Sequence, residues 1–148
     1  MGNTAKLNEL LTEYGVSHQH PVNIMIHKIC VPAILFSVIG LVYSVPLSVA
    51  GIHLVHLVLG LALLYYLRLS LLYTIFSSGI FVAFTFLAGF FKTKGVLLET
   101  SIIVFVTAWL GQFYGHKVEG KKPSFFQDLQ FLLIGPLWTI KTILKLKY

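Results

Sequence analysis

Apolar positions near the start of the chain recur at helical spacing. Leu7, Leu10, Leu11 and Tyr14 fall on one stripe between charged and polar neighbours, which predicts a short amphipathic helix over residues 5–14. Such a helix is expected to lie on a membrane surface. The pattern then changes, because from Ile29 to Leu67 no residue carries a formal charge. One helix through those 39 residues would be about 58 Å long, roughly twice a hydrocarbon core, so the stretch predicts two spans. "YSVPLSVAG", with Pro46 and Gly51, is the expected turn between them, and Pro21 fits the first position of the first helix. Arg68 marks an interface. Leu71–Phe91 predicts a third span closed by Lys92 and Lys94, and Val96–Tyr114 a fourth closed by "GHKVEGKKP". The last stretch, Ser124–Leu146, is interrupted by Asp128, Gln130 and Gly135-Pro136, and reads as a broken interfacial or re-entrant helix. The expected fold is therefore all-α and integral to a membrane. Residues 1–148 form a single domain of about four transmembrane helices, with an amphipathic helix before them and the broken helix after.

Composition agrees and adds an orientation. The chain is 57% hydrophobic and only 11% charged, against about a quarter charged in soluble domains. Its net charge of +6 does not point to nucleic acid, because the lysines and arginine sit at the edges of apolar runs. Four spans place the N-terminus, the Arg68 loop and the C-terminal region on one side of the bilayer. That side holds nine of the eleven basic residues and the other only Lys92 and Lys94, so the termini are expected in the cytoplasm. The single cysteine, Cys30, excludes an intrachain disulfide. The opening residues lack the basic start and apolar core of a signal peptide.

This topology sorts the six histidines. His18, His20 and His27 precede or open the first span, and an even number of crossings returns His116 to the same face. His53 and His56 follow the first turn, on the opposite side, where they are either amphipathic interface residues or a separate metal site. Asn23 and His27 are four apart on one helix face, and Gln112, His116 and Glu119 stack similarly at the end of the fourth span. His18 lies before Pro21, in a segment able to fold back over the helix end. A metal site at His18, His27 and His116 is one reading, with Asn23, Gln112 and Glu119 placed to orient the rings. The other reading is that each histidine simply sits at the headgroups. His20 has a helix-capping role available. Glu99 opens the fourth span as a helix N-terminal charge.

Two blocks, "YGVSHQHPVNIMIHKICVPAILFS" and "WLGQFYGHKVEGKKPSFFQDLQFLLIGPLW", resemble the 2-hydroxy fatty acid dioxygenase family of small membrane proteins. The matching positions are Tyr14, His18, Pro21, Asn23, His27 and Pro32. They continue with Trp109, Gln112, Gly115-His116, Glu119 and Pro123, with Gly135-Pro136 downstream. His20 departs from the pattern, which has Asn there, and His53 and His56 match nothing in it. The resemblance covers the whole chain. It implies an Fe(II)-dependent enzyme that uses O₂ to shorten a 2-hydroxy fatty acid by one carbon. Iron held by three imidazoles keeps open positions, and a 2-hydroxy acid is a bidentate chelator. On this reading His18, His27 and His116 hold the metal and Asn23 supports them. Glu119 or Gln112 positions or deprotonates the substrate hydroxyl, and Lys121 or Lys122 attracts its carboxylate. The membrane would be the inner membrane of a bacterium or the endoplasmic reticulum of a eukaryote. Rival classes are a non-catalytic lipid-binding or scaffold protein, a small transporter and a zinc-dependent lipid amidase. A transporter usually needs a carboxylate within a span, and Glu99 sits only at a span end. The clustered HxxxH and HxxHH boxes of di-iron membrane hydroxylases do not occur.

Overall fold

A computed structural model describes residues 3–120 and 131–145. The described residues form six helices and one short hairpin. Helix α1, Thr4–Val16, begins where the Asn3 side chain accepts from the Lys6 amide at 3.0 Å, an N-cap that satisfies one of the helix's orphan donors. The Asn3 amide in turn donates to the Arg68 carbonyl at 2.8 Å, which ties the start of α1 to the end of α3, Leu54–Leu69. The stripe foreseen in the sequence is present, but Leu7, Leu11 and Tyr14 are buried within the protein. The covering surface is largely that of the last helix, α6, Ile134–Leu144. Protein therefore takes up the apolar face that sequence alone would give to the bilayer.

Helix α2, Pro21–Ser44, follows a His20 cap whose Nδ1 accepts from the Val22 amide at 3.2 Å. Ser48–Val49 and Ile52–His53 pair as antiparallel strands β1 and β2. They turn through Ala50 and Gly51, both at positive φ (51° and 79°), the conformation of a two-residue hairpin. Ser70 alone separates α3 from α4, Leu71–Thr93. Helix α5, Leu97–Glu119, runs five residues beyond the expected span end at Tyr114. It stops at Gly120, whose φ of 73° and N–H bonds to the His116 and Lys117 carbonyls make a left-handed cap. That extension keeps His116 and Glu119 on one rigid helix.

Helices α2, α4 and α5 are long and apolar enough to cross a bilayer. Helix α3 is apolar too, but its 16 residues rise only about 24 Å, short of a hydrocarbon core of about 30 Å. Of the expected C-terminal segment, residues 124–130 and Leu146 lie outside the described residues. The described part is α6, of 11 residues, in which every residue from Ile134 to Ile140 is buried. The Tyr66 hydroxyl donates to the Leu133 carbonyl at 2.8 Å and so fixes the start of α6 to α3.

The tightest packing is between α2 and α5, which run antiparallel. Gly111 and Gly115, one turn apart on α5, face Cys30 and Asn23 on α2, and at the other end Gly40 of α2 faces Ser101 of α5. A Cβ on Gly111 would stand 2.7 Å from Cys30 Sγ, and one on Gly115 or Gly40 would collide with Asn23 Oδ1 or Ser101 Oγ. Small residues spaced four apart allow such close approach, and in lipid, close packing is a main source of helix attraction. Gly79 has open space around it. Gly111→Leu is therefore expected to lower stability by about 1–3 kcal/mol or more through overpacking, while Gly79→Leu stays near wild type. Thermal unfolding in detergent distinguishes the two, and equal melting temperatures would refute the seam.

Candidate metal centre

Three elements converge at one end of the α2–α5 pair. Helix α2 supplies His27 from its second turn, α5 supplies His116 from its last, and His18 comes from the short connection between α1 and α2. All three are buried, at 4%, 0% and 4% exposure for His18, His27 and His116. Each offers a ligand atom within 4.8 Å of the other two. Their ring centroids are 4.2, 5.4 and 5.0 Å apart for the 18–27, 18–116 and 27–116 pairs.

Local hydrogen bonds set the rings. His18 Nδ1 lies 2.6 Å from the Tyr14 carbonyl and His27 Nδ1 lies 3.0 Å from the Asn23 carbonyl. A carbonyl can only accept, so each neutral ring carries its proton on Nδ1 and its lone pair on Nε2. The Nε2 atoms of all three rings are buried. A ring nitrogen bonded to a carbonyl while the other is left to coordinate is the arrangement that orients metal-ligating histidines. The Tyr14 ring stacks on His18 at 4.3 Å and 6° between planes, and Trp138 of α6 stands 5.1 Å away. The donor set fits a metal: three imidazoles, two of them with a ring nitrogen oriented by a carbonyl, leave coordination positions open.

Asn23 and Glu119 brace this centre. Asn23, fully buried, donates its amide to the Ser17 carbonyl at 3.1 Å and to Glu119 Oε2 at 3.0 Å. Glu119 Oε1 accepts from the Gln19 amide at 2.9 Å and Oε2 from the His20 amide at 2.8 Å. The carboxylate at the end of α5 thus grips the turn that carries His18 and the N-terminus of α2, where the helix dipole favours negative charge.

Residues 4–146 match the family described as "Mpo1-like: 2-hydroxy-palmitic acid dioxygenase Mpo1-like". The chain belongs to this family. The 2-hydroxy-palmitic acid dioxygenase MPO1 of Saccharomyces cerevisiae is 29% identical over 134 residues, which cover 88% of this chain and 75% of the relative. No solved structure matches.

In this Mpo1-like chain the other residues singled out from the sequence divide clearly. Gln112, buried one turn before His116, lines a chamber of about 20 Å³ with Tyr14 and Trp109, room for about one water. His20 is the helix cap it was expected to be. Lys121 and Lys122 lie outside the described residues. His53 and His56 stand at the other end of α2, beside Tyr43 and Lys92. Among the described residues they gather no third His, Cys, Asp or Glu as a metal group. Glu99 is in the first turn of α5. Sequence reasoning missed Trp138, whose place beside His18 depends on how α6 docks. It also passed over Gly111 and took Gly115 only as part of the motif with His116, although the spacing of the two glycines could have marked the seam.

The grip of Glu119 has a direct readout. Glu119→Ala should speed amide exchange at Gln19 and His20 by about ten- to a hundredfold, since hydrogen bonds to a charged group are worth about 1.5–3 kcal/mol. Exchange at Val55, on the far end of the bundle, serves as the internal reference. Unchanged rates at all three amides would mean that the carboxylate does not hold the turn.

Proposed function

We propose that this Mpo1-like protein is an Fe(II)- and O₂-dependent dioxygenase that shortens 2-hydroxy fatty acids by one carbon. The observation that carries the reading is the buried triad His18–His27–His116 in a chain whose curated relative is named a 2-hydroxy-palmitic acid dioxygenase. Iron held by the three imidazoles would supply Lewis acidity and a place for O₂. The chain's own residues do the rest. Gln112, which lines the water-sized chamber and lies one turn before His116, hydrogen-bonds the substrate hydroxyl. Glu119, with both oxygens occupied by three donors, acts as a positioning residue that fixes His18 rather than as a proton acceptor. Tyr14 and Trp138 wall His18 from water. Lys121 and Lys122, just beyond Gly120, attract the carboxylate.

The arrangement also suits the bilayer. With α3 as a short fourth crossing, the termini and the triad share the cytoplasmic face, in the inner membrane of a bacterium or the endoplasmic reticulum of a eukaryote. An amphiphilic substrate can then keep its chain in lipid while its head meets the metal.

Anaerobic purification followed by metal analysis and O₂ uptake with 2-hydroxypalmitate tests this reading. Wild type should hold iron near one per chain, and His27→Ala and His116→Ala should lose both metal and O₂ uptake. A chelator should abolish uptake and Fe(II) restore it. Four-coordinate zinc in place of iron, or a protein that binds no metal when Fe(II) is supplied, would overturn the proposal.

A further inference from the structure

Two cavities lie in series, the nearer with walls one helical turn from the triad residues and neither lined by a histidine. The first is the chamber of about 20 Å³ lined by Tyr14, Val31, Trp109 and Gln112. The second, about 240 Å³, lies between α2, α4 and α6, with Pro32, Ile80, Thr139 and Ile140 among its walls. Leu35 and Pro136 line both, so one layer of side chains separates them. On α2, His27, Val31 and Leu35 are four apart and share a face. They are in turn a candidate ligand, a wall of the chamber and the partition, over a rise of about 12 Å. At the far side, Phe76, Ile143 and Leu144 are exposed apolar residues, which in a membrane protein meet acyl chains. The larger cavity therefore opens sideways to lipid and ends blindly against the chamber.

We infer that this cavity receives the alkyl chain of the 2-hydroxy fatty acid, and that Ile140 and Ile143 of α6 limit the chain length accepted. The inference rests on the dioxygenase reading and adds which part of the protein holds the tail. A head at the triad must pass its chain along the His27–Val31–Leu35 face, and displacement of Leu35 joins the two spaces. A larger apolar groove, about 910 Å³ between α3 and α4, has its polar end at Tyr43, His56 and Lys92. That end, at Tyr43, is sixteen α2 residues from His27, about 24 Å along the helix, so its polar groups do not serve a head bound at the triad. The walls of the α2–α4–α6 cavity are apolar but for Thr139. Its Oγ1 is buried and has no hydrogen-bond partner among the described residues, so the site offers an alkyl chain contact surface and little else.

Two readouts separate this inference from the reading beneath it. The first is kcat/KM for O₂ uptake over 2-hydroxy fatty acids from 2-hydroxyoctanoate to 2-hydroxystearate, in wild type, Ile140→Trp and Ile143→Trp. Ile143 is at the exposed mouth, so its replacement keeps the test alive if the variant at buried Ile140 does not fold. Filling the cavity should cost the longest substrate about tenfold, the burial of about two methylenes, and leave the shortest within about twofold of wild type. Equal losses at every length, with metal retained, would overturn the inference. The second readout needs no turnover: a 2-hydroxy fatty acid with a terminal diazirine, photolysed in lipid nanodiscs. The probe should label α6 between Pro136 and Leu144, 2-hydroxypalmitate should compete with it, and Thr139→Val should preserve or strengthen labelling. Labelling spread over the lipid-facing helices without competition, or labelling lost in Thr139→Val, would also overturn it. If the probe labels α6 but wild type consumes no O₂ with any substrate, the chain cavity stands and the dioxygenase reading falls.

Discussion

The close approach of α2 and α5 is the constraint on which the rest of the site depends. Two helices in lipid gain little from shedding apolar surface, since the acyl chains they leave are as apolar as the side chains they meet. What draws them together is dense packing, and dense packing needs small residues. Gly111 and Gly115 provide a trough into which Cys30 and Asn23 fit. The trough leads straight to the centre, because His116 follows Gly115 in the chain and His27 lies one turn beyond Asn23. The same contact that joins the helices thus sets the separation of two of the three imidazoles. Gly40 and Ser101 hold the opposite end, so the pair cannot splay at one end without straining the other.

At the histidine end of that pair, buried polar groups are tied to one another. Asn23, Glu119 and the peptide groups of residues 17, 19 and 20 form one connected network. It joins three chain segments at one end of the α2–α5 pair, where buried, unmet donors would otherwise be costly. The network lies on the outer side of the histidines and the apolar cavities lie on the inner side. A head-and-tail molecule meets a matching gradient of polarity as it approaches.

Much of this was legible in the sequence. Taking the crossings as even in number put His18, His27 and His116 on one face, and the three rings do converge; α2, α4 and α5 are long and apolar enough to cross a bilayer, while α3 is shorter. Helical spacing likewise put Asn23 beneath His27, and Gln112 and Glu119 on the face of His116. Other features depend on tertiary contact, which periodicity does not encode. The Leu7–Leu11–Tyr14 stripe reads as membrane-seeking until α6 is seen to cover it. The stretch Ser124–Leu146 suggests a broken interfacial or re-entrant helix, and what periodicity does not tell is that Ile134–Ile140 is buried in protein. Trp138 has no sequence signal that links it to His18. For Glu119, spacing gave the right face but not its partners, which come from residues about one hundred positions earlier in the chain.

His18 is more than a ring lining the centre. Its Nδ1 proton sits on the Tyr14 carbonyl, one of the last carbonyls of α1 and one that the helix itself leaves without an i+4 amide. The imidazole thereby serves as the stop of α1, with the negative end of that helix behind it. Two properties that genetics would treat as separate, the docking of the first helix and the convergence of the three imidazoles, are lodged in one side chain. A change at His18 therefore undoes the end of a helix in the same stroke as it opens the cluster.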